Sequence, residues 1–137
     1  MGKGRHAFLL TIPQCSADWS GIQDVGKRSE TLVACHLMKT VQGLGNQGYG
    51  DLGLHYLRDK EKREVDFLVS RDGEPWFLVE VKHSPSSLSP NLAYFQQQTE
   101  SLHAFQVAME ADFIDADCFS RTDPVEVPAL TFLSQLL

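Results

Sequence analysis

Two short runs on either side of Asp72-Gly73 constrain this chain more than anything else in it. Glu64 to Ser70 alternates, with Val65, Phe67 and Val69 expected on one face and Glu64, Asp66 and Leu68 on the other. Trp76 to Lys82 repeats the pattern, with Phe77, Val79 and Val81 opposed to Trp76, Leu78, Glu80 and Lys82. Such alternation reads as a strand, and Asp-Gly supplies the positive backbone angles that a tight hairpin needs. The chain is therefore expected to hold an antiparallel pair with an acid in the middle of each strand.

The flanking segments fill out an α/β pattern. Leu32, Val33, Leu37 and Val41 recur at three- and four-residue spacing, which predicts an amphipathic helix over Ser29–Val41, stopped by Gly43, Gly45, Gly48 and Gly50. Glu30 lies near its start, where the helix dipole favours a carboxylate. Leu52–Leu57 reads as a strand, and Arg58-Asp59-Lys60-Glu61-Lys62-Arg63 as a charged turn. A Ser/Pro-rich loop over His83–Pro90 leads to a helix over Asn91–His103, and Phe105–Met109 reads as a further strand. Residues 1–17 are expected to be an irregular lead-in, with a turn at Asp18-Trp19-Ser20. Residues 18–110 form the domain, and 111–137 a tail in which a short helix follows Pro128 and which packs on the core or on a partner. The fold expected is a mixed sheet of four or five strands flanked by helices.

The chain of 137 residues fits one domain, and its 42% apolar and 22% charged residues are ordinary globular usage. It has no apolar run of about 18 residues to span a bilayer. Its basic start and short apolar run at Ala7–Ile12 are interrupted by Pro13, so it reads as cytoplasmic, without membrane partners. Cys15, Cys35 and Cys118 have no zinc-ligand spacing and suggest no disulfide framework. A net charge of −6 is the wrong sign for gripping nucleic acid by charge alone, so such contact needs a local basic patch.

Asp66 stands between Val65 and Phe67, and Glu80 between Val79 and Val81. A carboxylate among such neighbours needs a cation, a donor or a raised pKa. Strand geometry puts Lys82 on the face of Glu80, about 7 Å along, and hairpin pairing can set Asp66 opposite Glu80. Two carboxylates and an ammonium then converge. Oxygen ligands of this kind suit a hard cation, Mg²⁺ or Mn²⁺, which stabilises phosphate charge and activates a bound water. The competing reading is a cross-strand ion pair on a solvated face, which contributes little.

Asp66 with Glu80-Val81-Lys82 resembles the D…(E/D)-x-K signature of the PD-(D/E)XK nuclease superfamily. The longer runs Gly26-Lys-Arg-Ser-Glu30-Thr-Leu-Val and Leu54 to Lys82 resemble the domain of unknown function found at the C-terminal end of many prokaryotic AAA-type ATPases. That resemblance covers about residues 18–110, with the tail from Pro128 also similar. It implies a restriction-endonuclease-like fold and makes Glu30, Asp66, Glu80 and Lys82 the catalytic positions, with Glu30, Asp66 and Glu80 as metal ligands. It also implies a nucleic-acid partner, DNA ahead of RNA, and an ATPase or other protein partner. No G-x-x-x-x-G-K-[ST] loop occurs, so the chain is expected to be a short relative or a remnant of a longer gene. A Mg²⁺-dependent nuclease is the first expectation, with a catalytically inactive docking module as its alternative. Of the remaining residues, Gln98 is expected exposed or near the site, and Glu64 a nearby acid or a surface residue. His83 is given no role, and His55 and His103, single histidines without a partner in the sequence, are read as satisfied or exposed side chains. Arg58, Lys60, Lys62 and Arg63 are read as phosphate contacts or a solvated turn.

Overall fold

The structure, a computed structural model, describes residues 7–11, 25–48 and 50–136. Asp72 and Gly73 both take positive φ, 53° and 83°, a left-handed pair that only a short polar residue and glycine adopt readily. They turn strand β3 (Glu64–Arg71) into antiparallel β4 (Glu74–Lys82), the hairpin expected from the sequence. Before them, β1 (Ala7–Thr11) and β2 (Leu52–Asp59) complete an antiparallel meander. After β4, helix α2 (Pro90–Thr99) crosses over to β5 (His103–Ala108), which runs parallel to β4, and β6 (Val125–Pro128) runs parallel to β5. Parallel neighbours require such crossovers. The result is a six-stranded mixed sheet in the order β1-β2-β3-β4-β5-β6.

This is the expected α/β sheet flanked by helices, with two corrections at its edges. The lead-in read as irregular contains β1, whose apolar run extends the sheet beside β2. The segment read as tail contains β6, which joins the sheet ahead of α3 (Ala129–Ser134), the short helix expected after Pro128. The turn expected at Asp18-Trp19-Ser20 lies outside the described residues. Among the described residues, no helix is long and apolar enough to cross a membrane. Cys35 is disulfide-bonded, correcting the reading of no disulfide, and Cys118 is a buried free thiol.

Helix α1 spans Val25–Asn46 and runs through Gly43 and Gly45, which were expected to stop it. It ends where Gly48 takes φ 86° and Gln47 N–H reaches the carbonyls of Gly43 and Leu44. Glycine costs a helix free energy without forbidding it. A Cβ at Gly43 would meet nothing within 4 Å. Gly43→Ala is therefore expected to stabilise the fold by about 0.5–1 kcal/mol in urea denaturation; a loss of stability would mean that the glycine serves the packing. Helix α2 starts at Ser89, whose hydroxyl accepts from Asn91 N–H, and ends at Glu100 in the left-handed region, short of the expected His103.

The sheet has a core on each face. Val33 and Leu37 of α1, Phe67 and Val69 of β3, Phe77 and Val79 of β4, Phe105 of β5 and Phe132 of α3 fill one. Leu57, Val65, Leu68, Leu78, Leu92, Phe95 and Ala104 fill the other, under α2. Val65 thus packs on the face opposite Phe67 and Val69, against the alternation read from the sequence. The cause is a β-bulge. Leu57 pairs with Val65 and His55 with Leu68, so Asp66 and Phe67 together stand against Tyr56. A second irregularity between Val69 and Ser70 brings Trp76 to the α1 face with Phe77.

Candidate functional site

The bulge has a consequence on the other side of β3. Pairing between β3 and β4 stops at Phe67 opposite Val79. One more step would set Asp66 opposite Glu80, and there side chains take over from the backbone ladder. Val81 N–H donates to Asp66 Oδ2 at 2.7 Å, and Asp66 N–H donates to Glu80 Oε1 at 3.3 Å. Buried backbone donors must find acceptors, and here each of two strands lends a carboxylate to the other. Lys82, two residues on, brings Nζ to 3.6 Å from Glu80 Oε2. The Glu80 side chain is 13% exposed and that of Lys82 39%, so the ammonium sits at the rim of the site.

The electrostatics of the pair are strained. Burial and then the charge of Glu80 push the Asp66 carboxyl up to about 8, against the pull of the Val81 hydrogen bond; Glu30 and Glu64 add to the rise. Burial also raises Glu80, offset in part by Lys82. Glu30, half-buried on α1, lies near enough for its charge to raise both. Of the four residues proposed from sequence, Asp66, Glu80 and Lys82 are in direct contact, and Glu30 joins them through its field. Among the described residues, no group of three or more His, Cys, Asp or Glu side chains is arranged to hold a metal ion.

The free oxygens nevertheless fit a hard, largely hydrated cation. Asp66 Oδ2 and Glu80 Oε1 are committed to backbone N–H groups, which fixes the orientation of both carboxylates and leaves Asp66 Oδ1 for another partner, while Glu80 Oε2 faces the Lys82 ammonium at 3.6 Å. Mg²⁺ characteristically takes one or two carboxylates and keeps several waters.

The surrounding residues are more ordered than their sequence suggests. In the charged turn, Asp59 is 3% exposed; its Oδ1 accepts the N–H groups of Glu61 and Arg63, and its Oδ2 takes Arg63 Nε at 2.7 Å. Arg63 then reaches Tyr94 on α2, donating Nη2 to the phenol oxygen at 2.9 Å with its guanidinium 3.9 Å over the ring. Arg58 pairs with Glu64 at 3.2 Å. The turn is thus a strut between β3 and α2, with Lys60 and Lys62 exposed on it. On the other side, Gln106 of β5 stands beside Glu80 in register and is fully buried. It accepts Ser89 N–H and donates to the carbonyls of Ser86 and Ser87 and to Glu126, so it pins the loop that leaves Lys82. Sequence reading passed over Gln106, Asp59 and Tyr94. Gln106 carried a usable signal, a polar residue between Phe105 and Val107 in a core strand.

Other candidates lie elsewhere. Glu64 is exposed and paired with Arg58. Gln98 is half-buried on α2 and makes no described hydrogen bond to the site. His83 pairs with Glu110 at 3.3 Å, away from the carboxylates. His55 and His103 are satisfied side chains, as expected: His55 Nε2 lies 3.0 Å from Ser70 Oγ, and His103 Nδ1 bonds the Arg121 carbonyl.

No curated protein and no solved structure gives a significant match to this chain. A family model does match, over residues 25–127, starting at α1 and ending in β6. That span takes in both strands of the hairpin, the helix bearing Glu30 and the two parallel strands beyond, and by it the chain belongs to the family described as Domain of unknown function (DUF4143).

Proposed function

We propose that the Asp66–Glu80–Lys82 site is a divalent-cation-dependent phosphodiester hydrolase centre of the PD-(D/E)XK nuclease kind, acting on nucleic acid. The observation that carries this reading is the open ladder at Asp66 and Glu80, where two part-buried carboxylates converge beside an ammonium. The two acids also cap backbone N–H groups of the interrupted ladder, but their proximity and burial leave Asp66 with a pKa of about 8. A cation relieves that repulsion.

Each side chain has a role in such a centre. Asp66 and Glu80 would hold Mg²⁺ or Mn²⁺ through Asp66 Oδ1 and Glu80 Oε2, the second shared with the Lys82 ammonium, and Glu30 would anchor its waters. The cation supplies charge opposite the phosphate and lowers the pKa of a bound water. Lys82, held by Glu80 at the rim, orients that water or offsets charge developing on the phosphate. Lys60 and Lys62 supply local positive charge on a chain whose net charge is −6. An accessory module that keeps the fold and docks to DNA or to a protein such as an ATPase is the second reading. The lack of three gathered metal-binding side chains among the described residues favours it.

Calorimetric titration separates the two. The parent is expected to bind Mn²⁺, which such oxygen sites hold more tightly than Mg²⁺, and Asp66→Ala and Glu80→Ala to lose that binding at least tenfold. Cleavage of single- or double-stranded DNA should follow the same pattern. A folded parent that takes up no Mn²⁺ at millimolar concentration overturns the hydrolase and leaves the docking module.

A further inference from the structure

The first turn of α2 is held from both sides of the strand that carries Glu80 and Lys82. On the β5 side, Gln106 Oε1 accepts Ser89 N–H at 2.9 Å, and Ser89 Oγ accepts Asn91 N–H at 3.2 Å. On the β3 side, Asn91 Nδ2 donates to the carbonyl of Glu64, two residues before Asp66, at 3.2 Å. Strand β4 runs between β3 and β5, with Glu80 level with Gln106. Leu78 belongs to the core under α2, and alternation puts Glu80 and Lys82 on that same face. The turn that joins the two anchors therefore crosses β4 where the carboxylate and the ammonium emerge.

Gln106 is fully buried, and its Nε2 faces the Ser86 and Ser87 carbonyls at 3.3 and 3.1 Å and Glu126 Oε2 at 2.8 Å. Glu126 Oε2 also accepts Ser86 N–H at 2.9 Å. Residues 83–88 are all exposed, so water suffices for their main chain and the loop does not need a buried amide beneath it. Burying one is costly unless its bonds are made, and rigidifying when they are. What these bonds fix is the path from Lys82 to α2 and the seat of the first turn. The acids themselves are held separately, through the N–H groups of Asp66 and Val81. The Lys82 main chain is held by Met109 N–H, which donates to its carbonyl at 2.8 Å.

We propose that Gln106 is a positioning residue for the Asp66–Glu80–Lys82 site, seating the first turn of α2, through Ser89, as the wall that aligns a nucleic-acid phosphodiester against Lys82 and the carboxylates. The role in alignment rests on the hydrolase reading, whereas the seat itself does not. Misplacing a wall by about 1 Å can cost a reaction about a hundredfold even where no reacting atom is touched.

The test compares the whole chain with Gln106→Leu, which keeps most of the volume and removes every bond. Glu126→Ala takes its place if that variant does not fold. Without metal, amide exchange at Asn91 and Leu92 should quicken at least tenfold, while exchange in β4 stays within threefold of the parent. Calorimetry should give a Mn²⁺ affinity within threefold of the parent. DNA cleavage at saturating Mn²⁺ should show kcat at least tenfold lower with KM within threefold, the mark of an interaction made in the transition state. A folded variant with the parent's kcat overturns the proposal. So does a joint tenfold fall in Mn²⁺ affinity and kcat, which would make Gln106 a support of the acids. Unchanged exchange at Asn91, in a parent that binds Mn²⁺ and cleaves, overturns the seat alone. A parent that binds no Mn²⁺ or cleaves no DNA overturns the hydrolase reading and the alignment with it.

Discussion

Asp66→Asn is expected to melt higher than the parent at pH 8 and above, with the gap closing as the pH falls towards 4. The folded-state carboxyl titrates at about 8, against 3.8 for the unfolded chain. Between those values the folded form holds the proton more tightly, so stability falls as pH rises across that window. Above pH 8 the folded chain carries the whole cost of the buried charge; below pH 4 it carries none. A tenfold difference in proton affinity between the folded and unfolded chains corresponds to about 1.4 kcal/mol. Because Glu80 shares in the titration, the expected gain is roughly 2–5 kcal/mol at pH 8–9. Asparagine keeps an oxygen to accept the Val81 N–H, so the open ladder is retained. Thermal melts of both proteins from pH 4 to 9 decide the matter. A variant that melts lower at pH 8, or a gap independent of pH, would show that Asp66 is stabilised by partners and not strained. Mn²⁺ adds a second reading: it should raise the parent's melting temperature and leave the variant's unchanged.

The hairpin, its turn and the acid on each of its strands were legible in the sequence because alternation and Asp-Gly are local signals. The helix bearing Glu30 was legible for the same reason, though its C-terminal end was not, since glycine propensity is too weak to outweigh the packing of α1 against β2. What alternation could not show was the bulge opposite Tyr56. Val65 and Phe67 look equivalent in the sequence, yet they enter different cores because the pairing slips by one residue. That slip accompanies the opening of the ladder at Asp66, so the most consequential feature of the site is also the one a period-two reading misses. Gln106 illustrates a second limit. Its polarity inside a core strand marked it as a residue needing partners, but those partners, Ser86, Ser87, Ser89 and Glu126, come from segments distant in sequence. Asp59, Arg63 and Tyr94 show a third. A run of charges reads as solvated until a fold supplies a helix within reach.

Phe132→Ala should be among the most damaging single substitutions in the chain, because the C-terminal segment belongs to the core and is no appendage. Phe132 is fully buried, with ring centroids 5.0 Å from Phe105 and 6.1 Å from Phe77. Both partners lie mid-sheet, on the face covered by α1. Truncating a buried phenylalanine removes its burial and leaves a void, at about 3–5 kcal/mol. For a domain of this size the whole stability is roughly 5–15 kcal/mol, so the variant should lose on the order of 10 °C or more in melting temperature. Leu130, two residues earlier on the same helix, is 64% exposed, and Leu130→Ala should stay within about 0.5 kcal/mol of the parent. Urea denaturation of the two variants reads the difference directly. If Phe132→Ala were as stable as Leu130→Ala, α3 would be detachable and the core would close without it. If the expected gap appears, α3 is as much part of the domain as the hairpin that carries the acids.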